Sequence, residues 1–243
     1  YIAHTTVRVS CIQQFLKDQG YQTSWMNSYR ASFHRKKSFE MLHGTELFFD
    51  RETFRARGIT QQIGEWGLAD GPFLLHTLDI FDGLVKERAP VFANVLTIST
   101  HHPFSEISEG PVPEQLHATG SYREYLSRLR YADRTLGDFF EAFFKSDRAD
   151  DTIVVLLGDH SHGQMPNTEL TPVQREEIMF RIPLAFIGKN IKPERIEGPV
   201  HQVDVAPTIA RLTGGEGMVT WVGHDLFAGP GSPWLYLAED AVS

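Results

Sequence analysis

Apolar residues along the chain follow two rhythms. In "TTVRVSCIQQFLKDQGYQTSWMN", residues 5–27, Val9, Ile12, Phe15 and Leu16 share one face of a helical period. That predicts a helix stopped by Gly20 and followed by a short strand. "ADGPFLLHTLDIFDGLVKERAP" predicts a second helix, with Asp70 as its cap, Pro72 in its first turn and Pro90 closing the segment. "VFANVLTIST" predicts a strand from Val91 to about Thr100. "SYREYLSRLRYADRTLGDFFEAFFKS" predicts a long helix whose stripe is Tyr125, Leu129, Ala132, Leu136, Phe139 and Phe143. "TIVVLLG" and "RIPLAFIG" read as strands, and "VDVAPTIARLTG" as a short helix with Gly214 past its end. "SPWLYLAED" reads as an added edge strand.

This alternation predicts an α/β fold with a mostly parallel central sheet and helices on both faces. Near-continuous apolar runs such as "IVVLL" suit a sheet covered on both sides. The stretches from Gly110 to Gly120 and from Gly163 to Pro172 read as loops, the places where such folds carry their chemistry.

Composition narrows the classes. At 243 residues, 41% hydrophobic and 22% charged, the chain is long enough for one large domain with a full core. A net charge of -8 argues against a nucleic-acid binder. Cys11 is the single cysteine, so no intramolecular disulfide forms. No stretch has the roughly 20 apolar residues of a membrane span, and the first residue is Tyr1. A longer parent protein with an upstream membrane anchor is therefore an expectation.

Two predicted strands end in histidine. "VLTISTHHPF" carries His101 and His102, and "IVVLLGDHSHG" carries Asp159, His160 and His162. If the two strands are parallel neighbours, these residues converge at one rim. Carboxylate and imidazole together suit zinc or manganese, with magnesium a further candidate. The alternative is an ordinary strand exit, with Asp159 capping a turn and the histidines merely exposed. "SFHRKKSF" places Arg35, Lys36 and Lys37 together, either as a phosphate clamp or as a solvated basic run.

The order of segments resembles the extracellular domain of lipoteichoic acid synthases and related phosphoglycerol transferases, in the sulfatase-like branch of the alkaline phosphatase superfamily. The resemblance runs through "IQQFLKDQGYQTSW", "EWGLADGPFL", "LTISTHHPF", "YADRTLGDFF", "VVLLGDHSHG" and "HQVDVAPTIARLTG". It implies that Asp159 and His160 are metal ligands and that His101 contacts the phosphoryl or glycerol part of a substrate. It aligns Phe33 with a family aromatic and sets the family arginine on Lys36, or on Arg35 with a one-residue shift. Asn27 stands where the family has a histidine, which bears on substrate preference. His102 is read as a neighbour of the site, and His162 falls where the family varies. Trp66 is read as a packing anchor, Asp204, Pro207 and Thr208 as the start of a helix, and His201 as a residue within reach of the metal rim.

The same resemblance implies a threonine nucleophile and another acidic metal ligand upstream of Tyr1. Thr5 and Thr6 lie too close to the first helix to serve. The 243 residues are then the C-terminal portion of one sulfatase-like catalytic domain, residues 1–243, without its first strands and nucleophile segment. The implied activity is metal-dependent transfer or hydrolysis of a phosphate ester through a covalent intermediate. A sulfatase and a catalytically silent binding domain are the alternatives. The implied partners are a phosphate- or sulfate-ester substrate, such as a glycerophospholipid or glycan, and the implied location is the bacterial cell envelope.

Overall fold

Three parallel strands form the centre of the computed structural model, which describes residues 7, 9–63, 66–88, 90–104, 112, 114–116, 118–161 and 169–229. Strand β1 (Gln22–Asn27) lies between β2 (Leu47–Phe49) and β5 (Val91–Leu96). It pairs Ser24 with Leu47 on one edge and with Ala93 on the other. Thr23, Ser24, Met26 and Asn27 are buried, so both faces of β1 are covered. Helix α1 (Ile12–Asp18) packs against β1 and contributes Leu16. The main core gathers Met26 with Phe54, Leu68, Phe73, Leu74, Ile80 and Leu84. Those residues come from α3 (Arg51–Ala56), β4 (Gly67–Leu68) and α4 (Asp70–Glu87). Strand β4 pairs antiparallel with β3 (Gln62–Ile63). Phe54 and Phe73 meet edge to face at 4.8 Å, an arrangement that adds about 1 kcal/mol to their burial.

Helix α5 (Gly120–Phe144) packs on α4. Its predicted stripe holds in part, since Leu136 and Phe139 pack on the main core and Phe143 is buried, but polar residues join the buried face. Arg128, Tyr131, Thr135 and Phe143 are buried, whereas Leu129 is 43% exposed. Polar partners draw Arg128 and Tyr131 in. Arg128 Nε donates to the Phe104 carbonyl at 2.9 Å, and the Tyr131 hydroxyl accepts from Gly71 N at 3.0 Å.

Strand β6 (Val154–Leu157) pairs antiparallel with β7 (Leu184–Ile187), with Val155 opposite Phe186. Among the described residues β6 has no ladder to β5, so the two histidine-bearing strands are not hydrogen-bonded neighbours as the parallel arrangement required. The apolar run of β6 is half-buried and Leu157 is 38% exposed. Among the described residues β7 is the one strand paired with β6.

Several local expectations shift. The first helix begins only at Ile12, which leaves Val9 outside it and half exposed, while Gly20 takes the left-handed φ of +92° expected past a helix end. The Val91 strand ends at Leu96. Helices α2 (Lys36–Leu42), α3 and α6 (Pro172–Phe180) were not predicted. Two of them carry legible starts, the capping boxes Asp50/Thr53 and Thr171/Gln174, the latter with Pro172 at the first position. The proposed strand in "SPWLYLAED", most of the loop from Gly110 and the residues from His162 to Thr168 lie outside the described residues.

Gly44 shows how tightly α1 sits on the sheet. Its φ is +103°, and a Cβ would lie 2.4 Å from the Gln14 backbone. Gly44→Ala is expected to lower stability by about 3 kcal/mol, from backbone strain and overpacking together. Urea unfolding checks this, and an unchanged midpoint would contradict it.

Candidate functional site

The carboxyl ends of β1, β5 and β6 carry the candidate chemistry. Asp159 and His160 follow β6 and stand open to solvent, with side chains 71% and 72% exposed. His160 Nε2 lies 3.6 Å from Asp159 Oδ2. Asp159 Oδ1 accepts from His160 N at 2.9 Å, which orients the carboxylate. His160 Nδ1 meets the Ser161 carbonyl at 2.6 Å. A carbonyl only accepts, so Nδ1 carries a hydrogen, and Nε2 is the ring nitrogen that faces the carboxylate. A ring nitrogen bonded back to a carbonyl is how ligating histidines are oriented. This donor pair fits two positions of a divalent cation's shell. Among the described residues no group of three or more His, Cys, Asp or Glu side chains is placed to hold a metal ion. The Ser161 hydroxyl donates to the Met179 carbonyl of α6, tying the rim to that helix.

The turn at residues 33–36 links this rim to the end of β5. His34 and Arg35 both adopt positive φ, 49° and 55°. Those values reverse the chain between Phe33 and α2. Phe33 meets Trp66 at 5.6 Å, and Trp66 lies against His101 at 4.5 Å. Lys36 turns the other way and is buried, with Nζ 4.7 Å from the Trp25 ring centroid. Burial pulls the Lys36 ammonium below its ordinary pKa, while the charges of Glu40 and Asp159 push it back up. The cation therefore senses Asp159. Arg35 stays exposed on the turn.

His101 donates from Nδ1 to the His102 carbonyl at 2.6 Å. Nε2 is thus the ring nitrogen left to meet a partner. His102 stacks on His101 at 4.4 Å, as a neighbour that orients it. His201 is occupied locally, since its Nδ1 accepts from Val203 N at 3.2 Å. Asp70 does not cap its own helix: the cap position is Ala69 and makes no side-chain bond. The Asp70 carboxylate accepts instead from Ile98 N and Ser99 N, just before His101. Asp204 and Thr208 do start α7 (Val205–Leu212): Asp204 holds the cap position, with its carboxylate accepting from His201 N and His224 N.

Sequence reasoning marked Asn27 but not its burial, and it missed Gln202. Asn27 is fully buried at the end of β1, and neither its amide oxygen nor its nitrogen is hydrogen-bonded among the described residues. Gln202 Nε2 donates to the carbonyls of Gly158 and Asp159. Its only sequence signal was its place in "HQVDVAPT".

The described residues thus combine a helix-flanked parallel sheet with an acid and an imidazole at the end of the separate strand β6. The chain belongs to the Sulfatase family, which it matches over residues 4–215. It is 28% identical over 189 residues to phosphoglycerol transferase I of Xanthomonas euvesicatoria, covering 76% of this chain and 26% of that protein. A lipoteichoic acid synthase structure from Listeria monocytogenes superposes with a TM-score of 0.78 at 23% identity, over 93% of this chain and 58% of that one. An alkaline phosphatase superfamily protein from Vibrio parahaemolyticus gives 0.74 at 26% identity, over 93% and 53%. The chain thus spans about a quarter of the curated relative's length.

Proposed function

We propose that the protein transfers phosphoglycerol groups from a glycerophospholipid to an alcohol or glycan acceptor, at a divalent-metal site. The observation that carries this reading is the oriented pair Asp159 and His160, with Nε2 of the ring 3.6 Å from the carboxylate and Lys36 within electrostatic reach. Similarity to a phosphoglycerol transferase supports the choice of phosphoryl over sulfuryl chemistry. On this reading Asp159 and His160 hold manganese or zinc, with magnesium a further candidate. When bound, such an ion polarises a phosphoryl oxygen and favours ionisation of an attacking hydroxyl. Lys36 offsets the phosphate charge as a point cation, and Arg35 supplies positive potential at the mouth. Nε2 of neutral His101 accepts a hydrogen bond from a glycerol hydroxyl; protonated, it donates to a phosphoryl oxygen. The reading places the nucleophile and the remaining acidic ligand in sequence preceding Tyr1, and the domain outside the cytoplasmic membrane. Among the described residues no helix is long and apolar enough to cross a membrane.

The test is release of diacylglycerol from a fluorescent phosphatidylglycerol by the full-length protein. Release should stop with chelator and return with manganese or zinc. Turnover of a sulfate ester without diacylglycerol release would overturn the reading in favour of a sulfatase. Lys36→Ala should raise KM roughly ten- to hundredfold, the equivalent of one charge-assisted hydrogen bond, and Lys36→Arg should retain most of the affinity. An unchanged KM in Lys36→Ala would remove Lys36 from the site.

A further inference from the structure

We infer that Gln202 is a positioning residue that sets the orientation of Asp159. Strand β6 leaves its ladder at Gly158, whose N–H donates to the Pro183 carbonyl at 3.0 Å. The next two carbonyls are taken by a single side chain. Gln202 Nε2 donates to Gly158 O at 3.1 Å and to Asp159 O at 2.7 Å. A carboxamide nitrogen carries two hydrogens, so both bonds form at once. The Gly158 carbonyl belongs to the peptide unit before the Asp159 Cα, and the Asp159 carbonyl to the unit after it. Holding both units restrains the two backbone rotations about that Cα and therefore the direction of the Cα–Cβ bond from which the carboxylate projects. The second unit also carries the His160 N–H that orients Asp159 Oδ1.

The tether is itself anchored. Gln202 opens the short 3-10 turn Gln202–Asp204, whose buried Asp204 carboxylate accepts from His201 N at 2.8 Å and His224 N at 3.1 Å. His224 Nδ1 lies 2.9 Å from the same carboxylate. Thr208 Oγ1 donates to the Asp204 carbonyl at 2.6 Å. From the other side Gly223 presses so close that a Cβ there would lie 2.0 Å from the Val203 carbonyl oxygen. The turn has little room to shift, so its one outward amide acts as a fixed reference for the end of β6. Glutamate has the same length but no donor, and asparagine is one methylene short. Only the amide at this length meets both carbonyls.

This inference rests on the metal reading for its functional consequence, so the test reads geometry and metal separately in the full-length protein. Hydrogen exchange of the 158–161 amides is followed without metal, and manganese affinity is measured by titration. Gln202→Met and Gln202→Glu should each speed exchange of those amides at least about tenfold and weaken manganese about ten- to hundredfold, as loss of an orienting partner does. The thermal midpoint should move little, since Gln202 is exposed. Unchanged exchange and unchanged manganese affinity in both variants would overturn the inference, and so would a loss of thermal stability without either effect. Faster exchange in a protein that binds no manganese even as wild type would uphold the positioning role and overturn the metal reading instead.

Discussion

Asp159→Ala is expected to reduce phosphoglycerol transfer by about a thousandfold while leaving the fold intact. The charge stabilisation that a bound divalent ion offers is worth several kcal/mol, and about 4 kcal/mol corresponds to three orders of magnitude in rate. The folded state has little to lose. The side chain is 71% exposed, and its hydrogen bond is to the amide of the next residue. Exposed substitutions of this kind usually change stability by less than about 0.5 kcal/mol. Turnover of phosphatidylglycerol, manganese affinity and the thermal midpoint form the measurement. Lost turnover and lost manganese binding at an unchanged midpoint is the expected result. Retained manganese affinity would show that Asp159 is not a ligand.

Asp70→Ala is expected to destabilise the protein by about 4 kcal/mol. Asp70 Oδ1 accepts from Ile98 N at 2.9 Å, and Oδ2 from Ser99 N at 3.1 Å. In return Asp70 N donates to Ser99 Oγ at 3.0 Å. Asp70 and Ser99 are almost fully buried, so alanine leaves two N–H groups without water or partner, at about 1–3 kcal/mol each. The carboxyl also gives a pH signature. Burial pushes its pKa from 3.8 up to about 6, while the bonds from Ile98 and Ser99 and the charge of Arg128 pull the other way. Between those two values the native state keeps a proton that the unfolded chain has released. Raising the pH therefore favours unfolding. The stabilisation is whole below 3.8 and is lost as the pH passes 6. Across this window wild type should lose up to about 3 kcal/mol relative to Asp70→Asn. Urea unfolding of both proteins at pH 4 and pH 7 checks this, and an equal change in the two would refute it. Ser99 stands two residues before His101, so loosening this clasp should also lower turnover.

The elements that were legible in advance are those whose signal is local. The helix at Asp70–Glu87 and the strands at Gln22–Asn27 and Val154–Leu157 follow from periodicity and flanking Pro or Gly. Helix α6 was equally legible through its capping box at Thr171, but its polar composition hid it. On α5 the predicted stripe caught Leu136, Phe139 and Phe143 but not the polar residues buried beside them, and the omission has a specific cause. Periodicity assumes that apolar residues face inward, whereas Arg128 and Tyr131 are drawn in by backbone groups of other segments.

The sequence by itself determined the α/β class, the order of its longer helices and strands, and the residue types at two strand ends. Each of these depends on near neighbours in the chain and on the alternation of apolar and polar side chains. Tertiary structure alone decided that β5 and β6 belong to separate ladders. It also decided that Lys36 rather than Arg35 turns inward, and that Asp70 clasps Ser99. The same holds for Gln202, which reaches Asp159 across 43 residues. Such partners are chosen by which buried polar group must find a donor or acceptor once the layers are packed, and no local pattern encodes that choice.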